Sequence, residues 1–244
     1  MFVANSTQRP VLLNATAILI FAQPVSFDAA YKRLAYQPRI NQLTFRQLNE
    51  RVGQTAEATG LPVLRSADLI THTGTFGEQI TSALQATFAL GFERVLVVGN
   101  DCPALTTEHL TQAAEQLRSE SIVLGPDQRG GLYLLGLSRA AFDPARLASL
   151  PWQTGRLASA VRRMDADGPV VCLPRLGDVN SRADLRQYRA SSSTVASFIA
   201  QLLTLGIGNQ AAVHHFSLAR LIGVYVRAGS LRAPPVFRAT TFAA

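Results

Sequence analysis

Residues 94–101, RVLVVGND, and residues 123–137, VLGPDQRGGLYLLGL, decide how this chain is read. Val95 to Val98 form an unbroken aliphatic run, the pattern of a strand covered on both faces in a parallel sheet. The run stops at Gly99, which leaves Asn100 and Asp101 just past the carboxyl end of the strand. That edge is where open α/β sheets bind their ligands. Pro103 keeps the strand from continuing. Thr106 or Thr107 can then cap a helix whose Leu110, Ala113, Ala114 and Leu117 share one face.

Upstream, Ala15 to Phe21 (ATAILIF) reads as a first strand, followed by a loop to about Arg39 and a helix from about Asn41 to Thr59, closed by Gly60. Leu61 to Leu64 is a short second strand. Thr75 and Glu78 spell a capping box for a helix carrying Phe76, Ile80, Ala83, Leu84 and Phe88 on one face, ended by Gly91. Strand and helix alternate three times in this part of the chain, which predicts an α/β fold with a doubly wound, mostly parallel sheet.

The rhythm changes after Ile122. Two strands follow with only a Gly-rich loop between them, so an antiparallel element or a return into the sheet is expected. Pro151 and Trp152 open a short helix, Val170 to Leu173 make another strand, and Ser181 with Asp184 caps a helix. The α/β domain spans residues 1–190 on this reading. Residues 191–194 read as a linker, and 195–244 as a small C-terminal helical extension: helices over Val195 to Leu205 and Gln210 to Arg227, then a Pro-containing tail.

The chain has 244 residues, 48% of them hydrophobic, enough for a full core. Net charge is +7 although only 16% of residues are charged, a balance that suits an anionic small ligand. No basic run and no basic and aromatic stripe points to nucleic acid. No stretch of about 18 uninterrupted apolar residues predicts a membrane span. The apolar segment from Pro10 to Ala22 lacks the flanks of a signal peptide. Cys102 and Cys172 lie in or beside apolar strands and read as buried, reduced thiols of a cytoplasmic protein.

Four blocks in order carry a resemblance: AILIFAQP (17–24), VLVVGNDCPAL (95–105), VLGPDQRGGLYLLGL (123–137) with LPWQT (150–154), and DVNSRADL (178–185). Together they resemble a bacterial family of glycosyltransferases related to the nucleotide-diphospho-sugar transferases, with the GT-A fold, over about residues 15 to 190. The resemblance implies that Asp101 is the catalytic carboxylate and helps hold Mg2+ or Mn2+ on the diphosphate of a nucleotide or nucleotide-sugar. Asp178 and Asn180 match the positions of further metal ligands. Hard oxygen donors suit such a cation, and the cation offsets charge on a departing diphosphate. Arg33 matches a phosphate-binding position, Gly130 and Gly131 let backbone approach the ligand, and Trp152 with Thr154 flanks the acceptor.

The departures are equally specific. The family's leading lysine is Gln23 here, its Pro and Gly-rich phosphate loop is PVSFDAA, and its basic Lys-Thr-Arg-Leu run is YKRL. The Asp before the paired glycines is Arg129, and the second Asp of the late block is Asn180. Carboxylates are thus lost while Lys32, Arg33 and Arg129 are cationic. Those changes argue against strict metal dependence and for a site that meets phosphate with side-chain cations, Arg129 among them.

Bland readings compete at several positions. Asp101 can simply cap the next helix, the glycine pair can be a turn, and Asp184 is best read as a helix N-terminal residue. His214 and His215 lack the spacing of a helical zinc site. The expected activity is transfer of a sugar from a nucleoside-diphosphate sugar to an acceptor. Nucleotidyl transfer to a phosphorylated metabolite, or a degenerate partner-binding protein of the same fold, are the alternatives. A homodimer through the C-terminal helices is the expected assembly.

Overall fold

Period-two alternation in the first and third strands separates two hydrophobic cores. In the computed structural model, which describes residues 15–164, 170–191 and 193–205, β1 (Thr16–Ile20) and β3 (Arg94–Val98) lie side by side and parallel. Ala17, Leu19, Val95 and Val97 point to one face, and Ile18, Ile20, Leu96 and Val98 to the other. Each of these side chains is buried, worth about 1.5–3 kcal/mol for a Val, Leu or Ile.

The described strands form one sheet in the order β2-β1-β3-β5-β4-β6, with β2 at Val63–Arg65, β4 at Ile122–Pro126, β5 at Leu132–Ser138 and β6 at Val171–Cys172. β5 pairs antiparallel with both β3 and β4, while the other pairs are parallel. The change of rhythm after Ile122 is therefore both an antiparallel element and a return into the sheet: β5 comes back between β3 and β4.

One face of the sheet is covered by α4 (Phe76–Ala89), α6 (Pro144–Ala148) and α7 (Leu157–Arg162). The other carries α2 (Pro38–Glu57) and α5 (Thr107–Gln116). Helix starts follow the sequence. Thr75 accepts from the backbone N–H of Glu78, whose carboxylate accepts from the Thr75 N–H, and Thr106 accepts from the N–H of His109.

Three expectations are corrected. The segment before Arg39 holds a helix, α1 (Val25–Tyr31), and α3 (Ser66–Leu69) follows β2. Pro151 and Trp152 lie in a turn rather than a helix, with Gln153 at φ 59°. Cys172 is exposed because β6 is a two-residue strand at the sheet edge; Cys102 is buried.

A third apolar cluster joins α8 (Arg182–Ser191) and α9 (Ser193–Leu205) to α2. Val195, Ile199, Leu202 and Leu203 pack there with Leu34, Phe45, Leu48 and Leu185. The first predicted C-terminal helix thus lies on the α/β body. The second, with the tail, falls outside the described residues. Among the described residues no helix is long and apolar enough to cross a membrane.

Candidate functional site

A cavity of about 720 Å³ opens at the carboxyl ends of β1 and β3. Because β1 runs on to β2 on one side and the chain then crosses to β3 on the other, this is the point where the sheet's winding reverses, the place open α/β sheets use for ligands. Phe21, Ala22 and Gln23 follow β1 into the wall, and Gly99, Asn100 and Asp101 follow β3.

Asp101, Arg129, Gly131, Trp152, Thr154, Asp178 and Asn180 all line this one cavity, although they are scattered over 80 residues of sequence. The loops that carry them are tied together: the Val179 N–H donates to the Asp101 carbonyl at 2.7 Å. Arg33 and Gly130 do not line it. Arg33 is exposed, and its backbone bridges to Ser181. Gly130 is at φ 89°, where a Cβ would press on the Gly155 carbonyl oxygen, so its glycine serves a backbone crossing. At Gly131 a Cβ would meet the Asp127 carboxylate.

The cation that reaches the cavity from α1 is Lys32. Its Nζ lies 2.8 Å from Asp101 Oδ2, with the two side chains 29% and 26% exposed. Burial alone would lower the Lys32 pKa, but Asp101, then Asp28 and Asp178, outweigh it and hold the ammonium above its ordinary value. Buried Asn41 fixes this corner. Its amide donates to the Ala29 and Lys32 carbonyls and accepts from the Leu34 and Ala35 N–H groups.

Two carboxylates of the cavity have no counterpart in the sequence reading. Asp28, 9% exposed, accepts from Asn100 Nδ2 at 3.2 Å, and burial pushes its carboxyl above the usual range. Asp127 is buried, and its Oδ1 accepts from the N–H groups of Arg129 (2.7 Å) and Gly131 (2.8 Å). That is an Asp-turn, and the run Pro-Asp-Gln-Arg-Gly-Gly held the signal for it.

Arg129 does not stand free to meet phosphate. Its guanidinium donates to Asp178 at 3.2 and 3.3 Å and to Asp184 at 2.5 Å. Asp184 also accepts from the N–H groups of Asn180 and Ser181, the helix-terminal role expected of it. Burial, and after it Asp101, raise the Asp178 carboxyl, which Arg129 offsets only in part. The Asn180 amide donates to Asp178.

Trp152 and Thr154 are held by their own turn. Trp152 Nε1 donates to the Leu147 carbonyl at 2.7 Å, which leaves the indole as an apolar wall beside Phe76, ring centroids 5.7 Å apart. Thr154 Oγ1 donates to the Pro151 carbonyl at 2.7 Å. Beyond Phe76 lie Phe21 and His72, the latter bridging Gln79 and Ser66. The Cys102 thiol is buried and pushed far up in pKa, the state of an inert thiol.

In charge, the cavity differs from the chain as a whole. Four aspartates (28, 101, 127, 178) line it against one lysine and one arginine, inside a chain of net charge +7. A polyphosphate would meet net negative charge here. Among the described residues no three His, Cys, Asp or Glu side chains form a ready-made metal cluster. Two carboxylates and an amide oxygen nevertheless fit a hard divalent cation of the kind completed by phosphate oxygens and water.

Solved structures similar to this one include a protein of Desulfovibrio desulfuricans G20 provisionally assigned as a nucleotide-diphospho-sugar transferase. It is 19% identical, with 79% of this chain and 96% of that one aligned at a TM-score of 0.61. This likeness establishes a nucleotide-diphospho-sugar transferase-like fold. Looser likenesses include 4-diphosphocytidyl-2C-methyl-D-erythritol synthase of Anaerococcus prevotii DSM 20548 (9% identical, 78% and 98% covered, TM-score 0.48). Another is Rv0371C of Mycobacterium tuberculosis H37Rv in complex with manganese (16% identical, 73% and 100% covered, TM-score 0.44). No curated protein matches the sequence significantly. Residues 25–154, from the start of α1 through the Trp152 turn, match the family described as an uncharacterized protein conserved in bacteria, DUF2064. With more than half of its length matched, Asp101 and Asp127 of the cavity included, the chain belongs to that family.

Proposed function

We propose that the protein binds a nucleoside-diphosphate sugar together with Mg2+ or Mn2+ and transfers the glycosyl group to an acceptor hydroxyl. The observation that carries this reading is the convergence of Asp101, Asp178 and Asn180 on one cavity where carboxylates outnumber cations. Asp101, with Asp178 or the Asn180 oxygen, would hold the cation, which when bound neutralises the diphosphate and favours its departure.

The chain's own residues do the rest. Lys32 and Arg129 stand beside those carboxylates and can turn to phosphate oxygens once a divalent cation takes the carboxylates. Gly131 leaves room at the Asp127 turn, and the Trp152 and Thr154 segment bounds the acceptor side. In the transfer, the bond from the anomeric carbon to the diphosphate oxygen breaks with its electron pair leaving on the diphosphate. The acceptor oxygen bonds to that carbon, and its proton passes to water. A reducing compartment, the cytoplasm, suits the unpaired cysteines.

Incubation with nucleoside-diphosphate sugars and manganese, followed by product analysis, tests the reading. Release of a nucleoside diphosphate supports it. Release of pyrophosphate from a nucleoside triphosphate would reassign the site to nucleotidyl transfer, and no turnover of a bound nucleotide to a non-catalytic role.

A further inference from the structure

α1 and its C-terminal end present two sides to the cavity. Asp28, with Lys32 at the extended position just past the helix end, makes the inner, charged side, and Phe27 and Tyr31 the outer, aromatic one. The aromatic pair is held ring against ring, centroids 4.5 Å apart and tilted by 38°. Phe27 is 47% exposed and Tyr31 76%. Other large apolar side chains are exposed among the described residues, namely Tyr36, Leu43 and Leu90, but none of these lines the cavity. The pair therefore stands where a ligand anchored at the aspartate cluster would extend toward solvent.

We propose that Phe27 and Tyr31 form a stacking platform for the nucleobase of the nucleotide whose phosphates meet Asp101 and Lys32. The inference rests on the nucleotide reading above. A nucleotide has a flat face of its own next to a polyanion, and the packed ring pair offers the outer face of one ring, backed by the other, on the same cavity wall as the Lys32 ammonium. Base stacking accepts any base, so the platform gives affinity for nucleotides as a class.

The test is calorimetric titration, in manganese, of a nucleoside diphosphate and of inorganic pyrophosphate into the full chain and into a Phe27→Leu, Tyr31→Leu double variant. Both side chains are exposed, and an unchanged Tm confirms that the variant is folded. The expected result is nucleoside diphosphate affinity weakened roughly 5- to 150-fold with pyrophosphate affinity unchanged. Phe27→Tyr with Tyr31→Phe should keep the wild-type affinities. Equal weakening of both ligands, or of neither, overturns the platform. So does a wild type that binds pyrophosphate as tightly as the nucleotide. A wild type that binds neither ligand overturns the nucleotide reading itself, and the platform with it.

Discussion

Removing the Lys32 ammonium should make the nucleotide-free protein a better manganese binder. Lys32 Nζ sits 2.8 Å from Asp101 Oδ2 with both side chains about three-quarters buried, so a cation at Asp101 must first displace it. Two unit charges about 4 Å apart at an effective dielectric of 20 interact by about 4 kcal/mol. Desolvation returns much of this, and a hydrogen bond to a charged group nets about 1.5–3 kcal/mol. Lys32→Met deletes that competition while keeping most of the side-chain volume, so manganese affinity should rise by about ten- to a hundredfold. Electron paramagnetic resonance of free Mn2+ during titration reads it directly. The sign of the pH dependence is fixed as well. The Lys32 pKa is raised in the folded state, so the pair is fully formed below the unfolded lysine value near 10.4 and is lost only as pH rises through the higher folded value. The difference between variant and wild type should therefore be constant from about pH 7 to 9. Unchanged or weaker manganese binding by Lys32→Met would refute the reasoning, because Asp101 would then not be a cation ligand held in reserve by Lys32.

Two structural positions give further tests. Gly130→Ala places a Cβ on the Gly155 carbonyl at φ 89° and should cost about 2–5 kcal/mol in denaturant unfolding; a neutral result would mean that this backbone crossing is not as drawn. Asp184→Asn removes the carboxylate that accepts from Asn180 and Ser181 and pairs with Arg129, and should cost about 1–3 kcal/mol at neutral pH. The Asp184 pKa is lowered on folding, so its contribution is present above the unfolded value near 3.9 and is lost as pH falls through the lower folded one. The variant should accordingly lose less stability than wild type on acidification.

What was legible in the sequence was local. The Val95–Val98 run, the Thr75 and Glu78 capping pair and the glycine-spaced return of β5 are each decided by neighbours along the chain, and the structure has them all. α1 was not legible, because Val25–Tyr31 begins after a proline with no side-chain cap and its exposed and buried residues make no clean apolar stripe. Missing α1 also misplaced the cation: which of Lys32 and Arg33 faces the cavity depends on the direction in which that helix ends. Asp127 was readable as a turn residue but not as a cavity wall, since the segment that meets it there, with Arg175 donating to its carbonyl, lies 48 residues away. Arg129 read as a free cation; its engagement with Asp178 and Asp184, 49 and 55 residues away, is a tertiary fact.

The most direct test of the central claim is thermal unfolding against nucleoside-diphosphate sugars, with manganese and again with excess chelator, for wild type and Asp101→Asn. A ligand at about 100 times its Kd stabilises the folded state by about 2.7 kcal/mol, which raises Tm by roughly 5–10 °C in a domain of this size. The account predicts such a rise for wild type with manganese, lost in chelator and lost in Asp101→Asn. A rise that survives chelator, or no rise with any nucleotide-sugar, would contradict it.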